Sequence, residues 1–267
     1  MRVKKYLPSL ITLANLFLGF LAILYIQRGN FNLGCHLILI AALLDSFDGK
    51  LARKIGVASL FGKEIDSLAD VVSFCLAPSF LIFNILYSPF SINSNSYFMY
   101  IAIVSSFPLL MGAIRLARFN VEHNEVDSKG YYDGLPTPMA AISICTLIMM
   151  IKTEFELNNL FPNSTLINFN IIVPIVILLS FLMIGKIQFS KFPLLSFSKG
   201  KKNSIRLILV LISFVVFGIS SFIGYLHIAL FLFAVYYILS NILFHFINNS
   251  IQLNQLKERM QTKKRES

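Results

Sequence analysis

The chain has 267 residues, 56% of them hydrophobic and only 13% charged, with a mean hydropathy of +0.73; a soluble domain carries roughly 25% charged residues. Its formal net charge is +10, but the basic residues are divided among short hydrophilic stretches, which excludes a nucleic-acid-binding groove. Apolar runs of spanning length recur along the chain, so the expected fold is an all-α integral membrane protein, a polytopic helical bundle.

Eight transmembrane helices are predicted in chain order: Leu7–Gln27, Leu33–Ala52, Ile65–Leu86, Tyr97–Phe119, Thr137–Ile151, Phe169–Ile187, Ile205–Ile223 and Leu226–Ile247. Six spans plus irregular re-entrant segments are the alternative. The first run follows Arg2, Lys4 and Lys5 as a leader would. It is too long for a leader's apolar region and lacks a small-residue cleavage site before Arg28, so a retained span is expected. The fifth run is short. Little more than Gly224 and Tyr225 separates the last two, which predicts a tight hairpin or one irregular pair. With the N-terminus in the cytoplasm and alternating spans, every basic residue except Arg28 and Lys152 falls on the cytoplasmic side. The positive-inside bias therefore places both termini in the cytoplasm of a multi-pass cell-membrane protein. Ser88–Ser96 and Asn158–Asn170 read as solvated outer connectors. Residues 1–247 form the membrane domain; residues 248–267 form a polar cytoplasmic tail, as a short surface helix or without fixed structure. Cys35, Cys75 and Cys145 lie in apolar segments without a Cys-x-x-Cys pair and read as buried small hydrophobes, not a disulfide framework. The four histidines, His36, His123, His227 and His245, share no ligand spacing.

The one dense polar interruption runs from Asp45 to Asp70. Asp45 and Asp48 are one helical turn apart at the cytoplasmic end of the second span, and Asp66 and Asp70 are one turn apart at the start of the third. The residues from Gly49 to Phe61 return the chain across the surface, so the two helix ends can converge four carboxylates. Ionisable groups at such a depth are functional candidates by default. With no His or Cys in the motif, oxygen ligands favour Mg²⁺ or Mn²⁺, and four carboxylates suffice for two ions that clamp phosphoryl oxygens. Lys50, Arg53, Lys54 and Lys63 surround the acids, and the planar fork of Arg53 matches phosphate best. Gly49 and Gly62, and more mildly Ala52, clear space for a ligand near the backbone. The alternative from another class is a divalent-cation transporter, which would hold its acids near the bilayer midplane instead of at span ends beside a basic loop.

Asp45-x-x-Asp48-Gly49-x-x-Ala52-Arg53, followed after eight residues by Gly62-x-x-x-Asp66-x-x-x-Asp70, resembles the complete signature of the CDP-alcohol phosphatidyltransferase family. The segment Leu60–Phe74, the runs Arg115-Leu116-Ala117-Arg118-Phe119-Asn120 and Gly134-Leu135-Pro136-Thr137-Pro138, and the opening Leu7–Asn15 are similar to the branch of that family that uses serine as acceptor. The likeness runs from about Leu7 to Ala141, the expected catalytic core, with a faint echo at Ser196–Lys199. Ser9 stands where the branch has Asn, and Cys75 where Gly is common.

The resemblance implies transfer of a phosphatidyl group from CDP-diacylglycerol to the L-serine hydroxyl, giving phosphatidylserine and CMP, by a divalent-metal-dependent membrane enzyme that is commonly a homodimer. Branches that use glycerol 3-phosphate or inositol phosphate remain as alternatives. It implies that Asp45, Asp48, Asp66 and Asp70 ligate the metal, with Asp70 also the general base. Gly49, Ala52, Arg53 and Gly62 would form the nucleotide pocket. Thr12 and Asn15, one turn apart on the first span, either contact the nucleotide or metal shell or serve in ordinary capping and interhelix bonding. Arg115 and Arg118 share a face at the end of the fourth span and are candidates for the acceptor carboxylate or lipid phosphate, or simply the positive flank of a span. Asn120, Ser67 and Ser73 are further polar candidates. The Gly134–Pro138 run predicts a stiff re-entry shaping the acceptor side.

Overall fold

A computed structural model of the protein describes residues 2–55, 60–87, 95–126, 131–152, 168–190 and 201–266. The first two helices, α1 (Arg2–Gln27) and α2 (Phe31–Ile55), form an antiparallel hairpin. Its turn follows from Arg28-Gly29-Asn30. Gly29 adopts φ +78°, its N–H donates to Ile26 O (2.9 Å), and Asn30 N donates to Tyr25 O (3.0 Å), closing α1. Asn30 Oδ1 then accepts the Leu33 N–H (3.2 Å) and caps α2.

The third span is built in three pieces: α3 (Leu60–Asp70), a π-helical turn (Val71–Leu76) and α4 (Ala77–Tyr87). In the π turn Ala77 N donates to Val72 O, five residues back. The cause is Pro78, which has no N–H and whose ring would meet the carbonyl four residues earlier; widening the preceding turn relieves this. The same device recurs at Asn168–Ile172, a π turn followed by Pro174 in α7 (Val173–Ile184). Helix α5 (Asn95–Val126) contains Pro108, and the adjacent Leu109 N–H donates to Ser79 Oγ of α4 (3.0 Å). A neighbouring helix thus takes up a backbone group beside the proline.

Helix α6 (Thr137–Met150) follows a three-residue strand, β1 (Tyr131–Asp133), which pairs antiparallel with β2 (Gln188–Ser190) after α7. Side chains of α9 (Leu226–Glu266) also bond to β2: Asn241 Oδ1 accepts Ser190 N (2.8 Å) and Tyr237 OH donates to Ser190 O (3.0 Å). The ribbon is an addition to the expected all-helical architecture. Helix α8 (Lys201–Ile223) turns directly into α9 at Gly224 and Tyr225, the tight hairpin of the two arrangements expected. Helix α9 passes Asn248 without a break and reaches Glu266.

Packing joins α1 to α2 and α3, α5 to α7, and α6 to α9. The continuous core includes Ala22, Ile38, Phe74, Leu81, Ile144 and Val176. Outward-facing Leu10, Phe17, Phe20 and Phe47, together with Phe222, are exposed on the bundle, as expected of groups covered by lipid.

The eight predicted segments fall on described helices and their π turns, except that the sixth runs three residues past the end of α7 at Ile184, but the count of eight spans is not reached by length and apolarity. Four runs suffice to cross a membrane: Pro8–Gln27, Leu60–Tyr87, Tyr97–Val121 and Leu226–Ile247. Phe31–Phe47, Thr137–Met150 and Phe169–Ile184 are shorter apolar helices. The protein is therefore a multi-pass helical membrane bundle with four helices of spanning length among the described residues. The two outer connectors lie largely outside those residues.

Candidate metal centre and acceptor site

The α1–α2 hairpin and the packing of α1 on α3 decide which side chains meet. Gly19 of α1 lies 2.7 Å, measured from where its Cβ would stand, from the Ser73 Cα of the π turn, so only glycine permits this approach. Ser73 Oγ donates to Asn15 O (2.9 Å), one turn earlier on α1. Ser73 is therefore a buried interhelix bond.

This packing brings Asp45 of α2 toward Asp66 and Asp70 of α3. One carboxylate oxygen from each of Asp45, Asp66 and Asp70 lies within 4.8 Å of the others; Asp45 and Asp66 are half-buried and Asp70 is 8% exposed. Three carboxylates this close repel one another unless positive charge is shared among them. The donor set is all oxygen, with no His or Cys in the group, and it fits a hard divalent cation. The convergence expected of the two helix ends is present for these three residues. The side chains of Asp48, Gly49, Ala52 and Arg53 lie outside the described residues, on the last two turns of α2. Gly62 is half-buried at the start of α3.

Two arginines that looked equivalent separate. Arg118 donates to backbone carbonyls, Nη1 to Ile184 O (2.9 Å) and Nη2 to Asp133 O (3.2 Å). It ties α5 to the end of α7 and to β1. Arg115 points inward, is 7% exposed, and donates from Nη1 to Thr137 Oγ1 (3.5 Å), while its buried Nε has no hydrogen-bond partner. Thr137 Oγ1 in turn donates to Asp70 Oδ2 (3.4 Å). Arg115 thus belongs to the carboxylate cluster and Arg118 to the scaffold.

Asn120 and Ser67 are also drawn together. Asn120 Nδ2 donates to Ser67 Oγ (2.9 Å) and Lys63 Nζ donates to Asn120 O (3.2 Å), clasping the end of α5 to α3 beside Asp66. On α1, Thr12 Oγ1 donates back to Pro8 O (3.1 Å), a bond within its own helix. Asn15 differs: its amide is fully buried, and neither Nδ2 nor Oδ1 has a hydrogen-bond partner. A buried primary amide with no bonds costs stability, so Asn15, unlike Thr12, keeps both its amide groups uncommitted within the bundle.

Sequence reasoning treated Thr137 only as part of a stiff turn. The one signal available was a hydroxyl in a Pro-flanked position at a helix start. Cys75, noted as a departure, is fully buried against Gly112.

A bundle of membrane helices that gathers three carboxylates within ligand reach of one another defines an integral membrane protein with an acidic cluster suited to a divalent cation. The chain belongs to the CDP-alcohol phosphatidyltransferase family, which it matches over residues 5–182. It is similar to the CDP-diacylglycerol–serine O-phosphatidyltransferase of Helicobacter pylori strain 26695, with 33% identity over 205 residues, 77% of this chain and 78% of that protein. The Methanocaldococcus jannaschii protein of the same name is 36% identical over 184 residues, 68% of this chain and 73% of the relative. The archaetidylserine synthase of Methanothermobacter thermautotrophicus is 39% identical over 146 residues, 54% of this chain and 58% of the relative. The protein is therefore a membrane transferase of the CDP-alcohol phosphatidyltransferase type, acting on a CDP-linked lipid.

Proposed function

We propose that the protein transfers the phosphatidyl group of CDP-diacylglycerol to the hydroxyl of L-serine, forming phosphatidylserine and CMP. The observation that carries this reading is the Asp45–Asp66–Asp70 cluster with the buried Arg115 guanidinium joined to Asp70 through Thr137. The serine-specific names of several relatives support the acceptor.

Asp45, Asp48, Asp66 and Asp70 would hold two Mg²⁺ or Mn²⁺ ions. When bound, these ions supply electrostatic stabilisation of the phosphoryl oxygens and of the leaving CMP. Gly49, Ala52, Arg53 and Gly62 line the nucleotide side, and the Asn15 amide offers a donor and an acceptor to the cytidine portion. Thr12 is the weaker candidate, because its hydroxyl bonds to Pro8 O. Asp70 accepts the proton of the serine hydroxyl as that oxygen attacks the lipid-side phosphorus; the phosphorus–oxygen bond to CMP breaks. Arg115 offers its spare Nε–H to the serine carboxylate, whereas Arg118 is committed to backbone carbonyls. The site faces the cytoplasm, both termini lie on that side, residues 1–247 form the membrane domain with its catalytic core at about 7–141, and the enzyme works as a homodimer.

The test is CMP release by the purified protein from CDP-diacylglycerol with Mn²⁺ or Mg²⁺ and either serine, glycerol 3-phosphate or inositol phosphate. Serine-dependent release, abolished by EDTA, is expected; turnover with a phosphorylated alcohol and none with serine overturns the acceptor. Asp70→Asn lowers serine-dependent release by about 10²–10⁴-fold, the usual contribution of a positioned base, and wild-type activity in that variant removes Asp70 from the role.

A further inference from the structure

The buried hydroxyl of Thr137 is not explained by helix capping. Thr137 is the first residue of α6, fully buried, and its Oγ1 bonds to two charged groups from two other helices, Asp70 of α3 and Arg115 of α5. Among small side chains, a hydroxyl alone both donates to a carboxylate and accepts from a guanidinium with one atom. Valine of the same shape does neither.

The backbone that delivers this hydroxyl is anchored. Gly134 N donates to Ile187 O (2.9 Å) and Leu135 N to Leu182 O (2.9 Å), so the approach to α6 is pinned to the last turn of α7 and to the segment that follows it. Gly134 has φ +82°, and a Cβ there would collide with the Met183 carbonyl oxygen. Pro136 (φ −58°, ψ 139°) then sets the entry into the helix, and Ala140 N bonds back to Pro136 O (3.0 Å). The hydroxyl position is thus fixed by the joint and not by the side chains it touches. Both of its bonds are long, 3.5 Å and 3.4 Å, which leaves Asp70 and Arg115 room to tighten onto it.

We propose that Thr137 is a positioning residue of the metal centre: its buried hydroxyl, held by the Gly134–Pro138 joint, orients the Asp70 carboxylate against Arg115. The proposal rests on the reading of Asp70 as a metal ligand. Outer partners that orient ligating carboxylates are typically worth about 10–100-fold in metal affinity or activity.

The experiment measures Mn²⁺ binding to purified full-length protein in detergent, from the paramagnetic resonance signal of free Mn²⁺, with no lipid or acceptor present. Thr137→Val and Thr137→Ala should weaken binding by about tenfold or more, with Thr137→Ser within about threefold of wild type. In turnover, Thr137→Val should lower kcat while leaving the KM for CDP-diacylglycerol unchanged, and Thr137→Ser should restore kcat. Comparable thermal unfolding of the four proteins separates this from misfolding, and Ala and Ser decide the matter if Val fails to fold. Mn²⁺ affinity equal to wild type in both Val and Ala variants overturns the role of Thr137 alone, as does a Ser variant as weak as Val or Ala. Absence of Mn²⁺ binding by the wild type overturns the metal centre, and the role of Thr137 with it.

Discussion

Cys75 and Gly112 form a pair whose volumes depend on each other. A Cβ added to Gly112 would overlap Cys75 Sγ and lie 3.0 Å from Met183 Cε, all in the buried interior. Gly112→Ala should therefore destabilise the protein by about 1–3 kcal/mol through overpacking, read as a lowered unfolding temperature in detergent. Combining it with Cys75→Ala removes the sulfur and should recover most of the loss; a double variant no better than Gly112→Ala would show that another contact limits the site. The departure at position 75 thus has a packing cause in the partner helix, 37 residues away in sequence. Other residue roles were legible to different degrees. Asp45, Asp66 and Asp70 could be read because helical spacing alone puts each pair on one face. The division between Arg115 and Arg118 could not, because three-residue spacing gives both the same side, and only the positions of β1 and α7 decide which guanidinium meets backbone. Thr137 was hidden because its partners lie 22 and 67 residues away.

At the scale of elements, prolines and one arginine shape the scaffold. Pro78 and Pro174 each follow a π turn, and the first of these turns begins directly after Asp70. The widened turn lets α3 pass into α4 as one continuous span, Leu60–Tyr87. Arg118 does the corresponding work at the other side of the site, bonding the last turn of α7 to the end of β1. Arg118→Ala deprives two carbonyls of charged donors and should cost about 3 kcal/mol or more; Arg118→Lys lacks the fork and should recover only part of this. Thermal unfolding measures both, and an alanine variant as stable as wild type would remove the tie from the scaffold. The helices were legible from apolar length, and the Gly224 turn from the lack of spacer. The β1–β2 ribbon was not: three residues are too few for an alternating pattern, and its paired residues are 55 to 59 positions apart in the chain.

Across the whole molecule, apolar side chains such as Leu10, Phe20 and Phe222 are exposed on the helix flanks, while the basic residues gather in the sequence between and after the apolar runs. The orientation inferred from the basic residues predicts that a membrane-impermeant maleimide added to intact cells labels Asn93→Cys and not Gln261→Cys. The native cysteines give no background, since Cys35, Cys75 and Cys145 are all buried. Labelling at Gln261→Cys alone would invert the orientation. The overall count of spans was the least legible property, because the apolar stretch of α6 is too short to qualify by length, and its membership in the bundle comes from packing. The centre itself is spread along the chain: the acids are complete by Asp70, Arg115 follows, and Thr137 comes last. During synthesis the carboxylates therefore enter the membrane before the cation and the hydroxyl that accompany them exist. A nascent chain halted between Asp70 and Arg115 holds the acids and the basic residues Lys50, Arg53, Lys54 and Lys63 around them in sequence, but neither the buried guanidinium nor the hydroxyl, so the centre is completed only once α6 has been made.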